Sequence, residues 1–336
     1  MRRRMMALLM LAIALAFLPG RAMGQIHAAA AAIARPTAIL WKNPADIKSR
    51  NLYYGPGGRE DQPREPFDFL KEDAGGTNPK FDVRDGAGTK WKVKLGIEAR
   101  PETVATRLMW AVGFMSDENY FLPAIKVEGM PRHLKRGQKL VGANGEIRAV
   151  RLQRHVCGKK IGIWRWRDNP FTGTREFNGL RVMMALLNNW DLKDDNNAIY
   201  PDCEKPGTEL YEVSDLGASF GRSGESYTAG MSKNNLKGYR RSKFIAKVTP
   251  GYVSFNFPTH LPYLYLFRFP LFFSRLRQRW IGHHIPRSDA KWMGTWLAEL
   301  TPEQIRDAFR AAGYSPEQVE AYATTLEARI AELKQL

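Results

Sequence analysis

Residues 188–200 read NNWDLKDDNNAIY, with three Asp, four Asn and one Lys crowded behind an apolar run. Upstream, Phe177, Leu180, Met184 and Leu187 recur on one helical face, so the spacing predicts a helix over 174–189 that ends on this polar stretch. Downstream, NNAIY and ELYEVSD form a hairpin around the turn PDCEKPGT. Short polar side chains at such a junction have two readings. One is a solvated turn. The other is a set of reactive groups mounted on a rigid base.

Working toward the N-terminus, FDFLKED (67–73), KFDVRD (80–85) and KWKVKLG (90–96) each alternate apolar with polar. The glycine turns AGGTNP and GAGT join them, which predicts three antiparallel strands. A helix follows, with Pro101 at its first position, Val104, Leu108, Ala111 and Val112 at helical spacing, and Gly113 as its stop. YFLPAIKVEG, EIRAVRLQRH and KIGIWRW predict further strands, and DNPFTG a turn. Near the C-terminus, helices are predicted over 289–299, 302–313 and 316–335, the last two capped by Thr301 and Ser315. Residues 26–66, with Ala28–Ala32 and YGPGGREDQPREP, read as linker and irregular loop.

Asp191 and Asn196 stand five residues apart in the polar stretch. Moving a phosphoryl group calls for a carboxylate beside the accepting hydroxyl and an amide oxygen on a magnesium ion. After the hairpin comes Asp215-Leu216-Gly217, where an Asp can hold metal a second time. Lys94, on the third strand, can reach phosphates as a point charge. Glu102, in the first turn of the next helix, can pair with Lys94 and hold it. Each piece has a plainer reading: a solvated loop, an acid placed for the helix dipole, or a solvent-facing lysine like Lys92. The order of the pieces along the chain is the informative feature.

That order resembles the protein-kinase-like fold over residues 67–335. DLKDDN is similar to the kinase D-L-K-x-x-N loop, and DLG to the metal-binding D-F-G. AGGTNPK and PETVATRLMWAVGF resemble the atypical kinases of the HipA and phosphatidylinositol-kinase type. The resemblance implies an α+β, two-lobed fold. A small antiparallel β lobe would span 67–168 and a larger, mainly helical lobe 169–336. It also implies ATP and Mg2+ as cofactors. By resemblance, Asp191 is the catalytic base and Lys193 touches the transferred phosphate. Asn196 and Asp215 are the magnesium ligands, Lys94 contacts the ATP phosphates, Glu102 anchors Lys94, and Gly75 and Gly76 lie over the phosphates. Asp194 and Asp195 are rival bases and Asn197 a rival ligand; the five-residue spacing favours Asp191 and Asn196. The chain departs from the family in three places. Asn189-Trp190 replaces His-Arg, no A-P-E motif is present, and the turn is short of glycines.

The 336 residues carry a net charge of +17, which favours acidic or phosphate-bearing partners. Residues 1–24 have a basic start, an apolar centre and a small-residue exit, the layout of a secretory signal peptide. An exported protein, periplasmic or extracellular, is therefore expected, or an inner-membrane anchored one if the leader stays uncleaved. Two cysteines, Cys157 and Cys203, cannot build a disulfide framework or a four-ligand zinc site; whether they pair is open. An EF-hand is excluded by Lys193 and Asn196 at its third and sixth positions, and GRSGE lacks the last glycine of a nucleophile elbow. SKNNLKGYRRSKFIAK (232–247) suits an acidic substrate through Arg240, Arg241 and Lys243, or is a solvated loop; nucleic acid is not expected. The aromatic run from Tyr252 to Phe273, with the basic segment up to 280, is either buried or a peripheral membrane contact. Two functions follow. One is an exported kinase-like phosphotransferase acting on a protein, lipid or small-molecule hydroxyl. The other is a catalytically inactive kinase-like binding module for an anionic surface.

Overall fold

After a short strand, β1 (Thr37–Ile39), the three alternating runs become β2 (Phe67–Asp73), β3 (Lys80–Arg84) and β4 (Lys90–Leu95). The computed structural model describes residues 36–76, 78–222, 232–257, 273 and 276–336. Opposite pairs such as Phe81↔Val93 and Val83↔Trp91 put one apolar face inward. The β3–β4 turn is organised by buried Asp85, whose carboxylate accepts from the Thr89 amide at 2.8 Å and the Trp91 indole at 2.9 Å.

A helix, α1 (Ala99–Ala111), crosses from β4 to β5 (Glu118–Glu128), which pairs with β6 (Glu146–Arg154). Because β5 also runs parallel to β2, the sheet closes into a barrel of order β2-β3-β4-β6-β5. Closure leaves no free edge and encloses a core of Phe67, Phe81, Trp91, Val93, Ile147 and Leu152. Gly113 ends the helix at φ +93°, where an added Cβ would lie 2.2 Å from the Lys42 carbonyl oxygen.

The second helix, α2 (Arg175–Leu187), is capped by the Thr174 hydroxyl, which accepts from the Phe177 amide at 3.2 Å. It ends at Asn188, in the left-handed region at φ +54°. The hairpin β7 (Asn197–Pro201) and β8 (Thr208–Val213) follows, in a sheet of order β1-β8-β7. A short helix, α3 (Leu236–Arg241), and strands β9 (Ile245–Val248), β10 (Tyr252–Phe255) and β11 (Ile285–Pro286) lead into the C-terminal helices. These are α4 (Arg287–Leu297), α5 (Pro302–Ala311) and α6 (Pro316–Lys334). Thr301 and Ser315 each form a full capping box, with Gln304 and Gln318 reaching back, and a proline opens each helix. The architecture is mixed α/β, with one core inside the barrel and a larger one among the helices.

Three segments differ from the sequence expectation. KIGIWRW is not a strand: its backbone meets β7 at the single bridge Gly162↔Ile199, and its other bonds to β7 run through side chains, Lys160 to the Asn197 carbonyl and Asn197 to the Trp164 carbonyl. Its alternation is real, since Trp164 and Trp166 are buried, but one bridge is too little backbone pairing to make it a strand. Residues 236–255, read as a basic loop and the start of an aromatic run, contain α3, β9 and β10. Within the supposed linker, Leu40, Ile47 and Leu52 sit in the larger core. The segment 1–24 expected to be a leader, Ala28–Ala32 and the aromatic run over 258–272 lie outside the described residues. Among the described residues, no helix is long and apolar enough to cross a membrane.

Residues 38–336 form one compact unit. Within this unit, a buried arginine ties distant elements together. Arg329 of α6 donates to the carbonyls of Leu186 and Tyr239, both at 2.9 Å, and to the Ser242 hydroxyl at 2.7 Å. Replacing it removes these three buried hydrogen bonds, although the Tyr239 hydroxyl still donates to the Leu186 carbonyl and the Ser242 hydroxyl to the Tyr239 carbonyl. Arg329→Ala is expected to lower unfolding stability by about 3 kcal/mol, read as a drop in the urea midpoint.

Candidate active site

Lys94 sits near the end of β4, and its side chain is 9% exposed. Its Nζ lies 2.7 Å from Glu102 Oε2, 3.1 Å from Asp215 Oδ1 and 3.3 Å from Glu98 Oε2. Glu102 comes from α1, Glu98 from the turn just before it, and Asp215 from the segment after β8. Arg151 on β6 adds a second cation, 3.3 Å from Glu102 Oε1. A third, Lys233, pairs with Glu98 and lies over the Trp190 ring, 5.3 Å from its centroid. Three carboxylates thus share three cations, which makes so much buried charge tolerable.

The electrostatics follow from this packing. Burial alone would discharge Lys94, but Glu102 and then Asp215 overcome it and hold the ammonium well above its usual range. Burial likewise acts to raise Asp215, and the adjacent Lys94 reverses this, holding the carboxyl at about 2. The Gly217 amide, 3.3 Å from Asp215 Oδ1, helps. Gly217 also has a steric reason: a Cβ there would fall 2.7 Å from the Glu98 Cβ. The glycine of D-L-G lets this segment close onto the start of α1.

The polar stretch is linked to the cluster through its backbone. The amides of Ser214 and Asp215 donate to the Asn196 carbonyl at 2.9 and 3.2 Å. The Asn196 side-chain amide donates to the Asp191 carbonyl at 2.6 Å, which leaves its Oδ1 as the atom that can ligate. The Asp191 amide donates to Asn189 Oδ1 at 3.2 Å, and the Asp191 carboxylate meets Lys193 Nζ at 3.0 Å. One run of contacts therefore joins Lys94, Asp215, Asn196 and Asp191.

The rival positions are occupied otherwise. Asp194 Oδ1 accepts from the Trp166 amide at 3.0 Å, and Asp195 is exposed. Asn197 is fully buried and donates to the Trp164 carbonyl at 3.0 Å. Gly75 and Gly76 lie in the β2–β3 turn and meet none of the residues above through the bonds found there. Instead the Arg136 guanidinium donates to both of their carbonyls. Sequence reading missed Glu98, Arg151 and Lys233. Glu98 had one available signal, its place four residues after Lys94; the other two carry none, because strand pairing and loop return bring them in.

For a metal, one oxygen from each of Glu98, Glu102 and Asp215 lies within 4.8 Å of the others. Asn196 and Asp215 present only oxygen donors, which fits Mg2+. Beside the polar stretch is a cavity of about 920 Å3 whose wall includes Lys193, Asp195, Arg165, Arg167 and Arg277.

Among solved structures, the chain is similar to a Helicobacter pylori proinflammatory kinase, CtkA, at 10% identity and a TM-score of 0.41, over 81% of this chain and 97% of that one. No family model and no curated protein matches the chain.

Two predictions follow from the charges. Burial pushes the Glu102 carboxyl up, against the pull of Arg151 and Lys94; because Glu102→Gln leaves both buried cations short of a partner, it is expected to cost about 3 kcal/mol, measured by chemical denaturation. The second concerns Asp73, which braces the glycine turn by accepting from the Gly75 amide at 2.9 Å and Lys92 Nζ at 2.6 Å. Burial acts to raise its carboxyl, but the Lys92 hydrogen bond, the Gly75 amide and Lys80 outweigh it and hold it at about 2. A depressed carboxyl stabilises the fold above its unfolded pKa of about 3.9. The stability gap between the native chain and Asp73→Asn should therefore be full above about pH 4 and close as the pH falls toward 2. Acid titrations of both unfolding midpoints read it directly.

Proposed function

We propose that the chain is an exported phosphotransferase with a two-lobed protein-kinase-like fold, the barrel forming the small lobe. The observation that carries this reading is Lys94 Nζ standing between Glu102 and Asp215, at 2.7 and 3.1 Å, with its two partners 113 residues apart in sequence. A strand lysine steadied by a helix glutamate and facing a metal-binding aspartate is what triphosphate binding asks for. On this reading Asn196 and Asp215 hold Mg2+, which supplies positive charge against the phosphates. Lys94 contacts the ATP phosphates, and Gly75 and Gly76 bring their turn near them. Asp191 orients the acceptor hydroxyl and takes its proton. The acceptor oxygen then bonds to the γ-phosphorus as the bond to ADP breaks, with Lys193 beside the moving group.

The acceptor reading rests on the cavity beside Asp195 and Lys193. Arg165, Arg167 and Arg277 on its wall suit an acidic or phosphate-bearing molecule. Export is supported by the leader and by the Cys157–Cys203 disulfide, a bond at home in oxidising compartments. The same three arginines favour a second reading, an inactive module that binds an anionic partner without transfer.

Calorimetry with Mg–ATP should show binding that Asp215→Ala removes. Transfer of the γ-phosphoryl group to an acidic substrate, or to the chain itself, should fall by about a hundredfold or more in Asp191→Ala, with ATP binding intact. ATP binding without any transfer selects the inactive module. Absence of ATP binding ends both the enzyme reading and the role of Lys94.

A further inference from the structure

A second group of titratable side chains lies apart from the Lys94 cluster, and the phosphotransferase reading gives it no work. Asp117 precedes β5, His155 follows β6, and Glu212 lies on β8. One possible ligand atom from each falls within 4.8 Å of the other two. Asp117 is 4% exposed and Glu212 is 2% exposed. Asp117 Oδ1, Glu212 Oε1 and His155 Nδ1 are all buried without a hydrogen-bond partner. The Asp117 and Glu212 carboxyls hydrogen-bond one another, Arg151 draws on Asp117 from a distance, and Gln153 Nε2 donates to Asp117 Oδ2; the Trp164 indole donates to the Glu212 backbone carbonyl at 2.7 Å.

Two buried carboxyls side by side need either a retained proton or a cation. Among the described residues, no lysine or arginine pairs with them. Lys160, the nearest cation to Glu212 in effect, spends its ammonium on the Asn197 carbonyl at 2.6 Å. Arg151 is engaged with Glu102. From these observations we infer that Asp117, His155 and Glu212 form a binding site for a transition-metal dication of the Zn2+ class, independent of any nucleotide-bound Mg2+. The donor set decides the class. An imidazole nitrogen is a poor ligand for Mg2+ or Ca2+, whereas one or more imidazoles with carboxylates suit zinc. Ligand atoms around tetrahedral zinc stand about 3.3 Å apart, so three donors already within 4.8 Å need only small side-chain rotations.

The surroundings hold the donors in place. The His155 ring stacks on Tyr200 of β7, with centroids 3.4 Å apart and planes 10° from parallel. Two residues beyond His155, Cys157 is bonded to Cys203, three residues beyond Tyr200. The disulfide thus pins the segment just past β6, which carries His155, against the hairpin carrying Glu212. A bridge between Met115 and Glu212 sets the approach to Asp117. A bound dication would cross-link the barrel to the β7–β8 hairpin, which begins right after Asn196.

The test is titration of the oxidised full chain with Zn2+ after chelator dialysis, followed by calorimetry and by thermal unfolding, with Co2+ as a visible-spectrum reporter. One equivalent of Zn2+ should bind and raise the unfolding temperature, and Co2+ should give the absorption of a low-coordinate site. Glu212→Gln and His155→Ala should each weaken binding by more than the roughly tenfold loss typical of an outer partner. Asp215→Asn should leave Zn2+ binding unchanged. His155→Ala removes only a half-buried ring, so it keeps the test decisive if Glu212→Gln fails to fold. The proposal is overturned if Zn2+ neither binds nor stabilises the native chain, which would mean that Asp117 and Glu212 simply share a proton. It is equally overturned if binding survives both site variants or disappears with Asp215→Asn. Since Mg–ATP calorimetry reads the other cluster, failure here leaves the phosphotransferase reading standing, and the reverse.

Discussion

An ammonium enclosed by carboxylates from three parts of the chain is the constraint on which the rest of the molecule depends. Lys94 could not remain charged at 9% exposure without Glu102, Asp215 and Glu98 around it. Those carboxylates in turn would repel one another without Lys94, Arg151 and Lys233. Charge balance therefore couples a barrel strand, the helix that leaves it, and the segment after the β7–β8 hairpin. Much of the local architecture serves this closure. Gly217 has no side chain because Glu98 occupies that space, and the Asn196 carbonyl receives the amides that aim Asp215 at the lysine.

The polar stretch gains its rigidity from neighbours on both sides. Its helix is capped at one end by Thr174 and closed at the other by left-handed Asn188. Its hairpin is fastened to the barrel side through the disulfide and the His155–Tyr200 stack. A backbone held at two ends can present Asp191 and Asn196 in one orientation, which reactive groups need and an ordinary solvated turn does not. Buried arginines do similar work in the helical part. Arg181 donates to the carbonyls of Ile281, Trp280 and His283, and Arg329 to those of Leu186 and Tyr239. Each gathers carbonyls from separate stretches of chain around one buried guanidinium.

Local physics made much of the fold readable. Strand alternation with glycine turns located β2, β3 and β4, and the caps Thr301 and Ser315 located the starts of α5 and α6, because both signals act over a few residues. KIGIWRW misled because alternation reports burial on one face, while a strand also needs a partner along its length. The basic run at 236–255 hid α3 and two strands because its charges lie on their exposed faces and its buried residues, Tyr239, Phe244, Val253 and Phe255, are widely spaced.

From residue order alone came the names Lys94, Glu102, Asp191, Asn196 and Asp215, the barrel hairpins and the C-terminal helices. Such features depend on neighbours within a turn or two, or on spacing along the chain. Tertiary structure alone decided that Lys94 and Asp215 meet, that Asn197 is enclosed while Asn196 remains partly accessible, that Cys157 bonds Cys203, and that Asp117, His155 and Glu212 converge. It also supplied Glu98, Arg151 and Lys233. Each of these outcomes is set by how barrel closure and hairpin docking fold distant residues together, and by the need for buried polar groups to find partners.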